Sequence, residues 1–110
     1  MNIYDAAALA AAAASSGHDR PATSLVHDSA DARVVLFRIE PGQEVPAHVS
    51  RSTVLLLIIA GSGVVSGGET ERTVHAGDIV AYDPHEQHGM RAASDELVIA
   101  AVIAPRAAAR

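Results

Sequence analysis

The stretch PGQEVPAHVSRSTVLLLIIAGSG, from Pro41 to Gly63, places a single histidine ahead of a long apolar run. The run from Val54 to Ala60 is built of aliphatic residues without charge, and glycine residues follow it. Such a run is typical of a strand that is covered on both faces. His48 therefore stands near the start of a buried strand, where it is either an ordinary edge residue or one member of a site whose other members lie elsewhere.

Short β-rich runs separated by turn signals surround this stretch. Residues 32–40 are rich in β-branched and aromatic side chains, and Gly67-Gly68 separates two further runs in the manner of a hairpin. The segments 77–84 and 96–104 supply additional strands. Many short strands with Gly and Pro between them predict an all-β sandwich or barrel.

The N-terminal segment is rich in alanine, the residue with the highest helix propensity. Asp5 is a favourable N-cap for a helix over Ala6 to Ala14, and Gly17 is a suitable stop. Because a secretory signal begins with positive charge and this segment carries only Asp5, we expect a short helix and a cytoplasmic protein. The predicted organisation is a helix and linker (1–24), a β-barrel (25–104) and a fraying tail (105–110).

Composition narrows the chemistry of this 110-residue chain. Hydrophobic residues make up 49% and charged residues 19%, as in one compact globular domain. The net charge of −5 argues against nucleic-acid binding, and no apolar run is long enough for a membrane span. The absence of cysteine and lysine removes thiolate and Schiff-base catalysis. Histidine, carboxylate, hydroxyl and arginine groups remain.

The spacing of glycine and histidine resembles the two short motifs of the cupin family. Gly42, His48 and Gly61 match the first motif, whereas Gly77 and His88 match the second. The resemblance covers nearly all of the β-rich part of the chain. It implies a cupin-type antiparallel β-barrel, jelly-roll-like, with the short α-helix at its N-terminal end.

The sequence departs from the family pattern at the ligand positions. Metal-binding cupins hold their ion with three His and one Glu, but Ser50 stands where the second His is expected and Val54 where the Glu is expected. Only His48 and His88 remain of the four. The second motif also departs where the family has Pro, Gly and Asn, at Asp83, His85 and Ala92.

Residues two apart in a strand face the same way. If no bulge intervenes, His48 shares one parity with Ser50 and the alternate residues of the apolar run, and the resemblance makes this parity the inward one. His88 likewise brings Met90 with it. The implied pocket is apolar, with two imidazoles and a hydroxyl near one end. Its expected lining residues besides the histidines are Ser50, Val54, Leu56 and Met90.

The resemblance leaves the metal question open between two interpretations. His85 would be the third ligand if its loop folded inward, with Asp83 or Glu86 supplying a carboxylate. Otherwise a divalent transition metal (Zn, Fe, Mn or Ni) is held weakly by His48 and His88 with water. Even without a metal, imidazole in such a pocket acts as donor, acceptor or general base near neutral pH.

Other polar residues are weaker candidates. His18, His27 and His75 fall in predicted loops or beside turns, where a solvated surface role is expected. Arg51 lies close to the pocket mouth and would meet an anionic ligand there. The face on which Tyr82 lies is not determined by the pattern.

Three functions are compatible with these features. The first is a single-domain cupin that binds a small organic ligand, with or without a weakly held metal. The second is a metal-dependent enzyme of the dioxygenase, isomerase, epimerase or decarboxylase type that uses His48 and His88. The third is an accessory or regulatory ligand-sensing module. Because the strand at 54–60 lacks in/out alternation, we also expect a second copy to cover its outer face in a homodimer.

Overall fold

The structure, a computed structural model, describes residues 1–14 and 17–106. In this part of the chain one short helix precedes nine strands. The elements are α1 (Ala6–Ala12), β1 (Ala22–Asp28), β2 (Arg33–Ile39), β3 (Glu44–Val49), β4 (Thr53–Ala60), β5 (Ser62–Gly67), β6 (Thr70–His75), β7 (Ile79–Tyr82), β8 (Gln87–Ala92) and β9 (Leu97–Ala104). Residues 107–110 of the expected tail lie outside the described residues.

The strands form two antiparallel sheets that face one another. One sheet has the order β1-β2-β9-β4-β7 and the other the order β3-β8-β5-β6. Alternate residues of both sheets meet in one apolar core, in which Leu56, Ile39, Leu97 and Ile99 are fully buried. This two-sheet arrangement confirms the predicted all-β, jelly-roll-like architecture.

The N-terminal helix forms as its capping residue predicts. The Asp5 carboxylate accepts a hydrogen bond from the amide of Ala8 at 3.0 Å. The helix ends at Ala12, two residues earlier than expected, because Ala13 is extended and Arg38 donates to the carbonyls of Ala10 and Ala11. No helix in the described residues is long and apolar enough to cross a membrane.

The helix lies against the outer face of the five-stranded sheet and contacts β1, β2, β4 and β9. Arg38 points outward from β2 to the helix, and Ala10 is buried at the contact. Leu36 and Val98, which are buried although they face outward, share this side of the sheet with Arg38. The helix of the same chain therefore covers part of the outer sheet face that we expected a second copy to cover.

Two strands begin where the sequence pattern predicted none. Strand β1 starts at Ala22, inside the segment assigned to the linker. Strand β3 contains Pro46, which lacks an amide donor and is tolerated because β3 is an edge strand. As a result His48 and Val54 belong to different strands in different sheets, so the residues expected to face inward between 48 and 58 do not lie on one continuous strand.

Candidate functional site

A cavity of about 570 Å³ lies between the two sheets. Its lining combines aliphatic side chains and one phenyl ring with two imidazoles, two hydroxyls and two arginines. Two connecting segments, one before β4 and one after β9, form the rim. The lining residues are Phe37, His48, Val49, Ser50, Arg51, Ser52, Val54, Leu56, His88, Met90, Ala101, Ile103, Pro105 and Arg106.

A bulge in β3 turns His48 toward this cavity. In the pairing of β3 with β8, Val45 lies opposite Met90 and His48 opposite His88, with the register shifted between them. Val45 and His48 are an odd number of residues apart, so a regular strand would place them on opposite faces. The bulge supplies the extra residue, and both Val45 and His48 contribute to the inner side.

The two imidazoles form a pair directly across the strands. Their ring centroids are 4.1 Å apart and their planes are inclined at 60°. His48 is exposed on the edge strand, whereas His88 is 3% exposed. Tyr82 lies 4.9 Å behind the His88 ring, and its hydroxyl donates to the carbonyl of Ser66 at 2.7 Å. Tyr82 is thus an inward residue, which the sequence pattern left undecided.

The two histidines are oriented by the same kind of contact, each with the backbone carbonyl two residues before it. Nδ1 of His48 lies 3.0 Å from the carbonyl oxygen of Pro46, and Nδ1 of His88 lies 3.2 Å from that of Glu86. A carbonyl oxygen only accepts, so each Nδ1 carries the proton in these bonds. In the neutral ring Nε2 is then left with its lone pair, as in histidines that bind metals or accept protons.

Burial is the main influence on the charge of His88. It lowers the pKa of His88 below the ordinary value, and the neighbouring His48 adds to the lowering. The carbonyl of Glu86 and the Glu86 carboxylate act in the opposite direction. Since burial is the largest of these causes, the His88 ring is an uncharged acceptor at neutral pH.

The four residues expected to line the pocket all do so. Ser50, Val54, Leu56 and Met90 belong to the cavity wall, although Val54 reaches it from a different sheet than His48. The Ser50 hydroxyl accepts from the amide of Ser52 at 3.1 Å. The three histidines that we predicted to be solvated, His18, His27 and His75, are all exposed.

The structure does not bring His85 to the histidine pair. His85 is exposed in a left-handed turn with φ 71°, and its amide donates to the carbonyl of Ser50. Asp83 and Glu86 are also exposed, and neither lines the cavity. Within residues 1–14 and 17–106, no three His, Cys, Asp or Glu side chains lie together in a group that would hold a metal.

The sequence analysis did not identify several of the residues that line the cavity. Phe37 and Ile103 come from β2 and β9, and their approach to the cavity depends on the pairing of strands distant in sequence. Arg106 falls in the segment we assigned to the tail. Residues 34–37 and 97–104 are continuously apolar, so no alternation with polar residues indicated which face of each strand lines the cavity.

A two-sheet jelly roll with a histidine-bearing cavity between its sheets defines a small double-stranded β-helix protein. The family model described as Cupin domain matches residues 35–104. The chain belongs to the cupin family, as the motif spacing indicated. No curated protein has a sequence that matches this chain.

Solved structures agree with this assignment. An uncharacterized conserved protein with a double-stranded β-helix domain from Klebsiella pneumoniae is 24% identical, with a TM-score of 0.85 over 99% of this chain and 94% of that chain. The protein TT1209 from Thermus thermophilus is 27% identical, with a TM-score of 0.85 over 97% and 100%. An RmlC-like cupin protein from Desulfovibrio desulfuricans is 27% identical, with a TM-score of 0.75 over 86% and 91%. These likenesses support the fold and leave the ligand to be inferred from the site.

Proposed function

We propose that this cupin binds a small organic molecule in the cavity between its sheets, with Nε2 of His48 and of His88 as the polar contacts. The observation that carries the proposal is the pair of imidazoles in a mostly apolar cavity, each held by its Nδ1 on a backbone carbonyl. Apolar walls with a few convergent polar groups are the usual composition of a small-molecule site.

The energetics explain why both parts of the site are needed. Burying roughly 200 Å² of apolar ligand surface stabilises the complex by about 5 kcal/mol. Loss of translational and rotational freedom costs about 4 kcal/mol or more. Apolar burial alone therefore leaves little net affinity. Hydrogen bonds to the two ring nitrogens, at about 1 kcal/mol each, decide whether a given ligand is retained and in which orientation.

The proposal is tested by NMR on the isotope-labelled full chain with a library of small polar-headed organic compounds. Ligands should shift the His48 and His88 ring signals, and His88→Ala should weaken binding about fivefold or more. Ile103→Phe, which adds volume at the cavity wall, should also weaken it. His75→Ala removes an exposed imidazole on β6 and serves as the matched control. Binding that both cavity variants leave intact would refute the proposal.

A second candidate function is weak retention of a divalent transition metal by the same pair. The supporting observation is the shared Nδ1–carbonyl contact, which suits metal-ligating histidine. The residues do not fit a tight site, because the described part of the chain supplies two ligands where catalytic zinc commonly has three from the protein. When bound, such an ion would supply Lewis acidity.

Calorimetric titration of chelator-treated protein with Zn²⁺, Ni²⁺ or Mn²⁺ tests this candidate. We expect weak binding that His48→Ala and His88→Ala each abolish and that His75→Ala leaves unchanged. One metal ion per chain that survives dialysis against chelator would contradict weak retention by two histidines. If His48→Ala and His88→Ala both bind the metal ion as the parent protein does, the ion is bound elsewhere.

A further inference from the structure

The rim of the cavity is formed by two segments that are tied together. Ser52, 3% exposed, donates its hydroxyl hydrogen to the carbonyl of Pro105. This bond joins the β3–β4 connection to the chain that follows β9, two segments far apart in sequence. Each segment carries an arginine next to the tie, and both Arg51 and Arg106 line the cavity. The tie therefore joins the two segments that bring Arg51 and Arg106 to the cavity.

Charge at this rim is positive although the chain as a whole is acidic. Nε of Arg106 lies 2.9 Å from Oδ1 of Asp28, and Arg33 contacts the same carboxylate twice, at 3.3 Å. Two guanidinium groups thus share one carboxylate, so the net charge of these three side chains is +1. The cavity has no Asp or Glu among its lining residues, whereas the whole chain has a net charge of −5.

Arg51 adds a further charge that is not neutralised locally. It is exposed, and it forms no hydrogen bond or ion pair with the residues that the structure describes. Its fork of donors matches the geometry of a carboxylate, which it binds through two parallel hydrogen bonds. Of the two arginines at the rim, Arg106 is engaged by Asp28, so Arg51 has its whole fork available, which is enough for one carboxylate group.

The interior of the cavity complements an apolar body. Phe37, Leu56 and Ile103 present only carbon to it, and His88 is buried and held as an acceptor. An anionic group would be poorly stabilised at this depth, because its charge would meet a low-dielectric wall. At the rim the same group keeps contact with water and with arginine.

We infer that the ligand is a small organic carboxylate, whose carboxylate group is bound at the rim by Arg51, with Arg106 beside it, and whose apolar body enters the cavity. This inference rests on the proposed function and adds the chemical class of ligand and a specificity-determining residue. In this binding mode the histidine pair contacts a polar group on the inner part of the ligand. The arginines favour ligands that carry a negative charge.

The experiment compares carboxylates with uncharged amides of the same shape on the full chain. The probes are 4-hydroxybenzoate, 4-hydroxyphenylacetate and 6-hydroxyhexanoate with the corresponding amides, so that each has a hydroxyl group to donate to the histidine pair. Affinity is measured by NMR titration, and ring signals of His48 and His88 report occupancy of the cavity. We expect the carboxylates to bind about tenfold more tightly than the amides, because a charge-assisted bidentate pair is lost in the amide.

Arg51→Gln should reduce this preference to about twofold or less, because glutamine keeps polar donors but lacks the charge and the fork. The matched control is Arg72→Gln, which removes another exposed guanidinium, on β6 and away from this cavity, that also forms no hydrogen bond or ion pair with the described residues. It should leave the preference unchanged. Circular dichroism and thermal unfolding of both variants verify that each is folded.

Four outcomes would overturn the inference. Equal affinity for carboxylates and amides, with His48 and His88 shifted, would refute charge selection and leave the proposed function standing. An equal loss of preference in Arg51→Gln and Arg72→Gln would show an effect of net charge alone. Failure of every probe to shift the histidines at about 10 mM, which means dissociation constants well above that concentration, would refute the inference and weaken the proposed function. Tighter binding of 4-hydroxyphenyl phosphate than of 4-hydroxybenzoate would replace the carboxylate with a phosphate ester.

Discussion

His88 is enclosed by groups from three parts of the chain. His48 faces it across the β3–β8 ladder, Tyr82 lies behind it, and the carbonyl and carboxylate of Glu86 are nearby. Burial holds the ring neutral, whereas the contact with the Glu86 carbonyl fixes its orientation and acts in the opposite direction on its pKa. Its protonation would place a charge in this enclosed position, and the protein's stability should respond to pH for that reason.

The first prediction concerns this pH dependence. Because burial lowers the pKa of His88 in the folded state below its ordinary value of 6.5, the unfolded chain binds a proton more readily. The contribution of His88 to the free energy of unfolding is fully present above pH 6.5 and is lost as the pH falls through the folded-state pKa. Urea unfolding between about pH 7.5 and pH 5 should show a shallower decline in His88→Gln than in the parent protein. Parallel declines would contradict the prediction.

The second prediction concerns the hydroxyl group behind the histidine. Burial, and secondarily the Glu86 carboxylate, raise the pKa of Tyr82 to about 12, so the phenol stays protonated and donates to the Ser66 carbonyl. Tyr82→Phe removes the donor and should lower the free energy of unfolding by about 1 kcal/mol. Tyr4→Phe, at a tyrosine that is half exposed, is the control and should be neutral. Equal effects in chemical denaturation would show that the hydrogen bond contributes nothing.

At the scale of the elements, the junction between β4 and β5 depends on a close backbone approach. Gly61 has φ +78°, and a Cβ atom there would lie 1.7 Å from the carbonyl oxygen of Glu96. Gly42 has a similar φ of +89°, yet a Cβ atom there would meet nothing within 4 Å. The two positions separate the cost of backbone conformation from the cost of a clash.

The third prediction uses this pair. Gly42→Ala should lower the free energy of unfolding by about 1 kcal/mol, the cost of placing a side chain at positive φ. Gly61→Ala should lower it by about 4 kcal/mol or more, because the β4–β5 turn must also move away from the start of β9. Thermal and urea unfolding measure both values. Similar losses at the two positions would mean that the chain relaxes around the clash.

The bulge in β3 shows how an element positions the site. Without the register shift between Val45 and His48, one of these residues would face solvent. Pro46 lies at the bulge and is compatible with it because β3 is an edge strand. The motif spacing located His48 in the sequence, but only the pairing of β3 with β8 determined that the imidazole reaches the cavity.

For the whole molecule, the outer face of the five-stranded sheet is only partly covered by α1. At the far edge β7 leaves Ile79 69% exposed, and Ile59 on β4 is 36% exposed. β4 and β7 are neighbours, so their outward residues form one apolar area. We propose that a second copy covers this area in a homodimer.

The fourth prediction tests the homodimer by analytical ultracentrifugation at micromolar concentration. The parent protein should have twice the chain mass of 11.3 kDa. Ile79→Lys should shift it to the monomer, because each copy would then bury an unpaired charge. Leu25→Lys, at a residue 58% exposed on the opposite edge strand, should remain dimeric. A parent protein of monomeric mass would refute the proposal.

The sequence by itself determined the local features of this protein. Asp5 before an alanine run specifies a capped helix, the glycine pairs specify turns, and runs of branched aliphatic residues specify strands, because these preferences act between neighbours in the chain. The spacing of His48 and His88 within the glycine framework was sufficient to indicate the family, which the match over residues 35–104 confirms.

The tertiary structure decided which of these features meet. Exclusion of His85 from the histidine pair, the inward position of Tyr82 and the tie between Ser52 and Pro105 all depend on contacts between segments far apart in the chain. The same is true of the convergence of Arg51 and Arg106 on one rim. Strand order, register and the bulge in β3 set these contacts, because a shift of one residue in pairing reverses the face on which a side chain lies.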